Sequence, residues 1–374
     1  MTPTEDLTAW LLDHGRMLPT VREVVGAFAQ QLRRHAPVDR FWFGTKVLHP
    51  QAAAFFWVCE GDEVRESSMS YARFDHLAQR DSPILRLRHG APETWFKVGS
   101  APDMPDLEAL FGRGYREQFA LPVHFRGVWA GGLTFSTREA FTQEHVALFR
   151  GVMPVLTTVL EPRAADLVTY TLLRTYLGRN AGKRVFHGQV KRGDGETLRA
   201  VVWFSDVRGF TQLSESLPRD ALLGLLNDAF ERVVGVVEDH GGEVLKFMGD
   251  GVLAVFPSDG DDDGEAAHRA LSAAQDLQVR LDARGGEPRI RMGVGLHLGE
   301  VSYGNIGSPG RLDFTVIGPA VNLAARVESQ CSTLGEPVLA SQDIAQLAFQ
   351  SWREVARVAV KGVSEPVGLF APKA

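Results

Sequence analysis

Cysteine is nearly missing from this chain: Cys59 and Cys331 are the only two in 374 residues. Two isolated thiols can build neither a disulfide framework nor a cysteine-based zinc site. Long apolar runs are missing too. Ala52–Cys59 is among the longest and falls far short of the roughly eighteen residues of a membrane helix. Basic excess is absent, with 40 Lys and Arg against 46 Asp and Glu and a net charge of −6, which speaks against general nucleic-acid binding. The opening Met-Thr-Pro-Thr-Glu-Asp has neither the basic start nor the apolar core of a secretion signal. The expectation is a cytoplasmic location with no membrane partner and no nucleic-acid partner. What is present is a 44% hydrophobic composition, enough for two or three domains with sizeable cores.

Two carboxylates stand at the ends of apolar runs. Val201–Phe204 is short, β-branched and aromatic, and suits a buried strand that delivers Asp206 at its tip. Val207-Arg-Gly-Phe-Thr reads as a loop in which Gly209 permits close backbone approach, and the amides of Gly209, Phe210 and Thr211 can hold phosphate oxygens. A helix is expected to start near Ser214, Ser216 or Pro218. Further on, Glu243–Phe247 and Val252–Phe256 read as strands joined by Met-Gly-Asp-Gly, a hairpin with Asp250 at its tip. If the first strand lies beside this hairpin, Asp206 and Asp250 meet at one sheet edge. Two carboxylates with open positions suit Mg²⁺ or Mn²⁺, which share coordination with substrate phosphates. Each fragment alone is more often an ordinary turn.

The combination of Phe-x-Asp-x-x-Gly-Phe-Thr with the later Lys-x-x-Gly-Asp closely resembles the catalytic domain of class III adenylyl and guanylyl cyclases. A second match is Leu312-Asp-Phe-Thr-Val-Ile-Gly-Pro-Ala-Val-Asn-Leu-Ala-Ala-Arg-Val-Glu, whose helix presents Asn322 and Arg326 at i and i+4 on one face. The resemblance implies that two ions of Mg²⁺ or Mn²⁺ bind Asp206, Asp250 and the Val207 carbonyl. It implies that Asn322 orients the ribose of ATP and Arg326 neutralises charge on the α-phosphate. Lys246 and Thr315 occupy the base-reading positions; Thr315 departs from the commoner Asp. Val316 would lie beside the purine, and Lys361, in Val-Lys-Gly-Val-Ser-Glu-Pro-Val, would contact the triphosphate. The implied activity is an adenylate cyclase that makes 3′,5′-cyclic AMP and pyrophosphate, working as a homodimer with shared sites. A guanylate cyclase and an inactive nucleotide-binding regulator stay open as alternatives. A diguanylate cyclase is suggested only by Gly241-Gly-Glu-Val, which precedes a strand instead of forming a hairpin tip.

The implied fold for residues 199–374 is α+β, a ferredoxin-like βαββαβ with helices on one sheet face, namely 220–240 and 261–283 before strands 290–297 and 301–306 and the helix 319–334. Upstream, residues 1–160 follow the order helix (20–36), hairpin (40–47 and 52–59), irregular middle, helix (106–119), hairpin (120–125 and 128–135), helix (142–160). This resembles a GAF domain, an α+β module that senses small molecules or dimerises. Trp57, Trp95 and Phe96 are candidates to line its ligand pocket, although such aromatics commonly belong to the core. Cys59 reads as buried filler, and His76, His89 and His124 lack metal spacing. Residues 161–198 form a connector in which 164–177 is helical, broken by glycine at Gly178–Gly182 and Arg192–Gly195.

Overall fold

The computed structural model describes residues 1–77, 80–258, 260, 262–283, 289–347, 351–359 and 366–373. The chain divides into two compact units, Met1–Thr175 and Tyr176–Ala374. Both are α+β, as the sequence implied.

In the first unit, α1 (Pro3–Asp13) and α2 (Val21–Leu32) each begin at a threonine whose hydroxyl accepts from the backbone N–H of a glutamate three residues on, while that glutamate accepts from the threonine N–H. There follow β1 (Arg40–Lys46), β2 (Ala52–Glu60), β3 (Glu63–Ser70), α3 (Tyr71–Leu77), α4 (Pro83–Arg88), β4 (Thr94–Lys97), α5 (Pro105–Gly112), β5 (Glu117–Phe125), β6 (Val128–Thr137) and α6 (Gln143–Leu177). The strands form one sheet in the order β3-β2-β1-β6-β5-β4. Residues of α1, α2 and α6 share a core with those of β1, β2, β5 and β6, in which Phe135 stacks on Phe149 with centroids 4.2 Å apart. The expected helix 106–119 stops at Gly112, because Gly114 turns the chain at φ 87° and Glu117–Phe119 join β5. The two expected helices 142–160 and 164–177 are one. α6 runs on through Pro154 and Pro162, its first half held by Val146, Phe149, Val152, Leu156 and Val159 in the core. Trp57 is 1% exposed, stacks on Phe43 and donates its indole N–H to Glu66, so it is core and not pocket lining. Cys59 is buried and its thiol is pushed up to about 11, which makes it inert.

The second unit contains α7 (Arg179–Phe186), β7 (Gly195–Val207), α8 (Phe210–Ser216), α9 (Arg219–Asp239), β8 (Glu243–Met248), β9 (Gly251–Pro257), α10 (Asp263–Ala283), β10 (Met292–Ser308), β11 (Arg311–Ile317), α11 (Pro319–Leu334), β12 (Val338–Ser341), α12 (Gln342–Ala345), β13 (Trp352–Val358) and β14 (Val367–Pro372). Its sheet has the order β13-β14-β12-β10-β7-β9-β8, with β11 paired to β10. The central run β10-β7-β9-β8 is the order expected of βαββαβ, and it puts β7 beside the β8–β9 hairpin. Helices cover both sheet faces, not one. Val201 and Trp203 of β7 pack with α9 and α10, while Ala200 and Val202 pack with Ala320 and Ala324 of α11. A strand apolar at every position can serve two faces at once.

Three local departures bear on the site. The expected strands 290–297 and 301–306 are one strand, β10, that pairs first with β7 and then with β11. The phosphate-holding loop is shorter than expected. Gly209 sits at φ 68° and caps α8, so Phe210 and Thr211 are already its first turn. The first expected glycine break is itself part of a helix, α7, with Gly178 as its N-cap at φ 92° and Gly182 inside it.

Candidate active site

Asp206 ends β7 and Asp250 occupies the tip between β8 and β9, where Gly249 takes φ 68°. β7 pairs with β9 up to Ser205 opposite Val252, which brings the two tips together. Gly251 makes the approach possible: a side chain there would begin 3.2 Å from the Ser205 carbonyl and 3.3 Å from Asp206 Oδ1. Half-burial, then hydrogen bonding to Asp250 and repulsion from its charge, raise the Asp206 carboxyl to about 6. Two neighbouring carboxylates at a strand tip, the charge of one raising the other, fit a divalent cation, which would offset that repulsion. Among the described residues no third His, Cys, Asp or Glu completes a cage. The remaining ligands would be the Val207 carbonyl and substrate oxygens, the usual pattern for Mg²⁺.

Lys246 and Thr315 come from β8 and β11, but the lysine bonds elsewhere: its Nζ lies 3.3 Å from Asp313 Oδ2. Thr315 is buried at 6% exposure and its hydroxyl has no hydrogen-bond partner among the described residues. Val316 is 3% exposed and belongs to the core. α11 carries Asn322, exposed, and Arg326, half-buried. One turn of helix beyond Ala324 on the packed face stands Glu328, whose carboxyl is raised to about 7 by burial first, then by the Asp206 charge, with Arg208 opposing.

Residues 196–365 match the family described as the adenylate and guanylate cyclase catalytic domain. This segment is a class III cyclase catalytic domain. An adenylate cyclase of Anabaena cylindrica is 32% identical over 196 residues, covering 50% of this chain and 39% of that protein. The chain spans well under half the length of such curated relatives. The crystal structure of the adenylyl cyclase CyaB from P. aeruginosa is 31% identical over 48% of this chain and 96% of that one, with a TM-score of 0.43. A bacterial light-regulated adenylyl cyclase is 16% identical and covers 75% of this chain and 92% of that one at a TM-score of 0.50, a likeness of fold alone.

In the cyclase domain, Glu243 settles one alternative. It is 7% exposed and accepts from the Asn180 and Ala181 backbone N–H groups, Asn180 Nδ2 and the Tyr303 hydroxyl. A carboxylate spent on the first turn of α7 is not available at a diguanylate cyclase site. Lys361 lies outside the described residues. Sequence reasoning missed Asp313, Glu328 and Arg208. Asp313 was within reach, since residues two apart on a strand share a face and Thr315 was already assigned. No helix among the described residues is long and apolar enough to cross a membrane.

Proposed function

We propose that the chain is an adenylate cyclase that converts ATP into 3′,5′-cyclic AMP and pyrophosphate. The observation that carries this reading is the meeting of Asp206 and Asp250 at the sheet edge, where the charge of Asp250 helps raise the Asp206 carboxyl. Asp206, Asp250 and the Val207 carbonyl hold two ions of Mg²⁺ or Mn²⁺. When bound, the ions supply positive charge that acidifies the ribose 3′-hydroxyl and screens the leaving pyrophosphate. The chain's own groups do the positioning. The first-turn amides of α8 face the triphosphate, Asn322 orients the ribose, and Arg326 offsets charge developing on the α-phosphate as the 3′-oxygen attacks in line. Lys246 donates to adenine N1 while the Thr315 hydroxyl, which has no partner among the described residues, accepts from the exocyclic amine.

Asn322 and Arg326 have no side-chain hydrogen bond or ion pair among the described residues, which supports their serving a site shared with a second copy in a homodimer. Residues 1–160 act as a GAF-like sensor and dimerisation domain with a small-molecule ligand, and residues 161–198 connect it to the cyclase domain at 199–374, in the cytoplasm. The test is product formation by the purified chain from ATP and from GTP, each with Mg²⁺ and with Mn²⁺, resolved by chromatography. Cyclic AMP from ATP supports the reading; cyclic GMP alone would make it a guanylate cyclase. Nucleotide binding without product in the full chain and in fragment 199–374 would make it an inactive regulator.

A further inference from the structure

α11 has two charged residues, Arg326 and Glu328. Arg326 is a family position; Glu328 is not used by anything above. It lies on the packed side of the helix, whose other members are Ala320, Ala324, Val327 and Cys331, all buried. A carboxylate on such a face, with no hydrogen bond among the described residues, carries a desolvation cost that Arg208 offsets only through its charge. An alanine would pack there without one.

The neighbouring strand makes room for this side chain at two places. β10 opens Met-Gly-Val-Gly, and its two glycines face α11. A Cβ on Gly293 would stand 2.8 Å from Glu328 Oε1 and 3.1 Å from Arg208 Nε. A Cβ on Gly295 would collide with the Glu328 backbone. Gly293 is the register partner of Asp206 across the β10–β7 ladder. Antiparallel register partners project to the same sheet face, so the Glu328 carboxylate and the Asp206 side chain occupy one face at adjacent strands. Arg208 follows in the turn after β7, and its Nε reaches the same face, 3.1 Å from the Gly293 Cβ position. Its main chain is fixed by an N–H to the Arg291 carbonyl at 2.8 Å, and its Nη2 donates to the Glu336 carbonyl at 2.6 Å. Its Nε is buried and finds no partner among the described residues.

We propose that Glu328 is a positioning residue for the divalent-cation site: its charge, held over Gly293 and balanced by Arg208, acts through Asp206 to tighten cation binding. The inference rests on the reading of Asp206 and Asp250 as the cation ligands. Their two negative charges repel Glu328 when no cation is present; a bound cation converts that repulsion into net attraction across the same gap. Arg208 opposes the cation by the same reasoning, so the two residues set its affinity with opposite signs.

The experiment titrates the full chain with Mn²⁺ alone and follows the free ion by electron paramagnetic resonance, then repeats the titration by cyclic-nucleotide formation at saturating ATP. Glu328→Gln keeps the shape and removes the charge. It should raise the half-saturating Mn²⁺ concentration about tenfold in both readouts, the scale seen when an outer partner of a metal ligand is lost. At saturating Mn²⁺ its turnover and its KM for ATP should return close to the parent values, which a merely structural defect would not allow. Arg208→Met should shift Mn²⁺ affinity the other way, and tighter binding cannot arise from misfolding, so this variant decides the matter if Glu328→Gln does not fold. Asp206→Ala separates the two levels of the argument. If it binds Mn²⁺ as the parent does, the aspartate reading itself is wrong. If it loses Mn²⁺ while Glu328→Gln binds unchanged, or Arg208→Met binds equally or more weakly, the role given to Glu328 is overturned and the aspartates stand.

Discussion

Lys246 Nζ is paired with Asp313 Oδ2 at 3.3 Å, two residues upstream of Thr315, whose hydroxyl has no partner among the described residues. The lysine is thereby held over the strand that carries Thr315. The pair is partly exposed, with side chains 37% and 48% accessible, so its contribution is modest, up to about 1 kcal/mol. Asp313→Ala should raise the KM for ATP by up to about fivefold on that scale and narrow the preference for ATP over GTP, with turnover nearly unchanged. Lys246→Ala should cost more, because it removes the donor itself. Steady-state kinetics with both nucleotides check this, and an Asp313→Ala enzyme with unaltered KM and preference would detach Asp313 from base selection.

The raised carboxyl groups of Asp206, about 6, and Glu328, about 7, give a signed dependence of stability on pH. In the unfolded chain both would titrate near 4. The folded, cation-free protein therefore binds more protons than the unfolded one above that range, and what the two groups contribute is fully present at low pH and lost as pH rises through about 6 to 7. Melting temperatures in the presence of a chelator should fall over this window more steeply for the parent than for Asp250→Asn, which removes one repelling charge. Added Mn²⁺ should raise the melting temperature most above pH 6, where the carboxylates are free to bind it. Identical slopes for parent and variant would mean that the Asp250 charge does not raise the Asp206 carboxyl.

The cyclase domain was legible because its chemistry sits in short contiguous strings: a strand ending in Asp206, a hairpin with Asp250 at its tip, a helix with Asn322 and Arg326. Each needs only local geometry. What stayed hidden depends on contacts between distant segments. Glu243 read only as the first residue of a strand, yet it also caps α7 some sixty residues upstream. The glycines at 178 and 182 read as a break, and the first of them is in fact the N-cap of that helix. Gly293 and Gly295 carried no signal at all, since their purpose is the space they leave for Glu328. In the first unit, β3 escaped notice because its exposed edge residues, Glu63–Ser70, lack apolar alternation.

Gly293→Ala tests that space directly. The new methyl would meet Glu328 Oε1 at 2.8 Å, Cys331 Cβ at 3.0 Å and Arg208 Nε at 3.1 Å. Crowding a packed site usually costs about 1–3 kcal/mol, so the urea midpoint should drop accordingly with an unchanged slope. Gly295→Ala should be worse, since the obstacle is helix backbone, which cannot rotate away as the end of a glutamate can. A double change, Gly293→Ala with Glu328→Ala, should recover part of the loss. No recovery would show that the crowding lies elsewhere.

The most demanding prediction concerns assembly. Asp206 and Asp250 lie at the tip of β7 and the β8–β9 turn, whereas Asn322 and Arg326 project from α11 with no side-chain partner among the described residues. If a second copy brings α11 to this copy's aspartates, each site is built from two chains. Asp206→Ala and Arg326→Ala should then each be nearly inactive alone, by at least about a hundredfold, the usual cost of removing a group that stabilises transition-state charge. Mixed in equal amounts and allowed to exchange, they should recover about a quarter of parental activity. Half of the dimers formed at random would be mixed, and in each of these one site pairs two intact halves while the other carries both defects. Activity would rise with total protein concentration as dimers form, and size-exclusion chromatography would follow the same transition. A mixture no more active than its components, at concentrations where the dimer is seen, would place all the functional groups of each site on one chain.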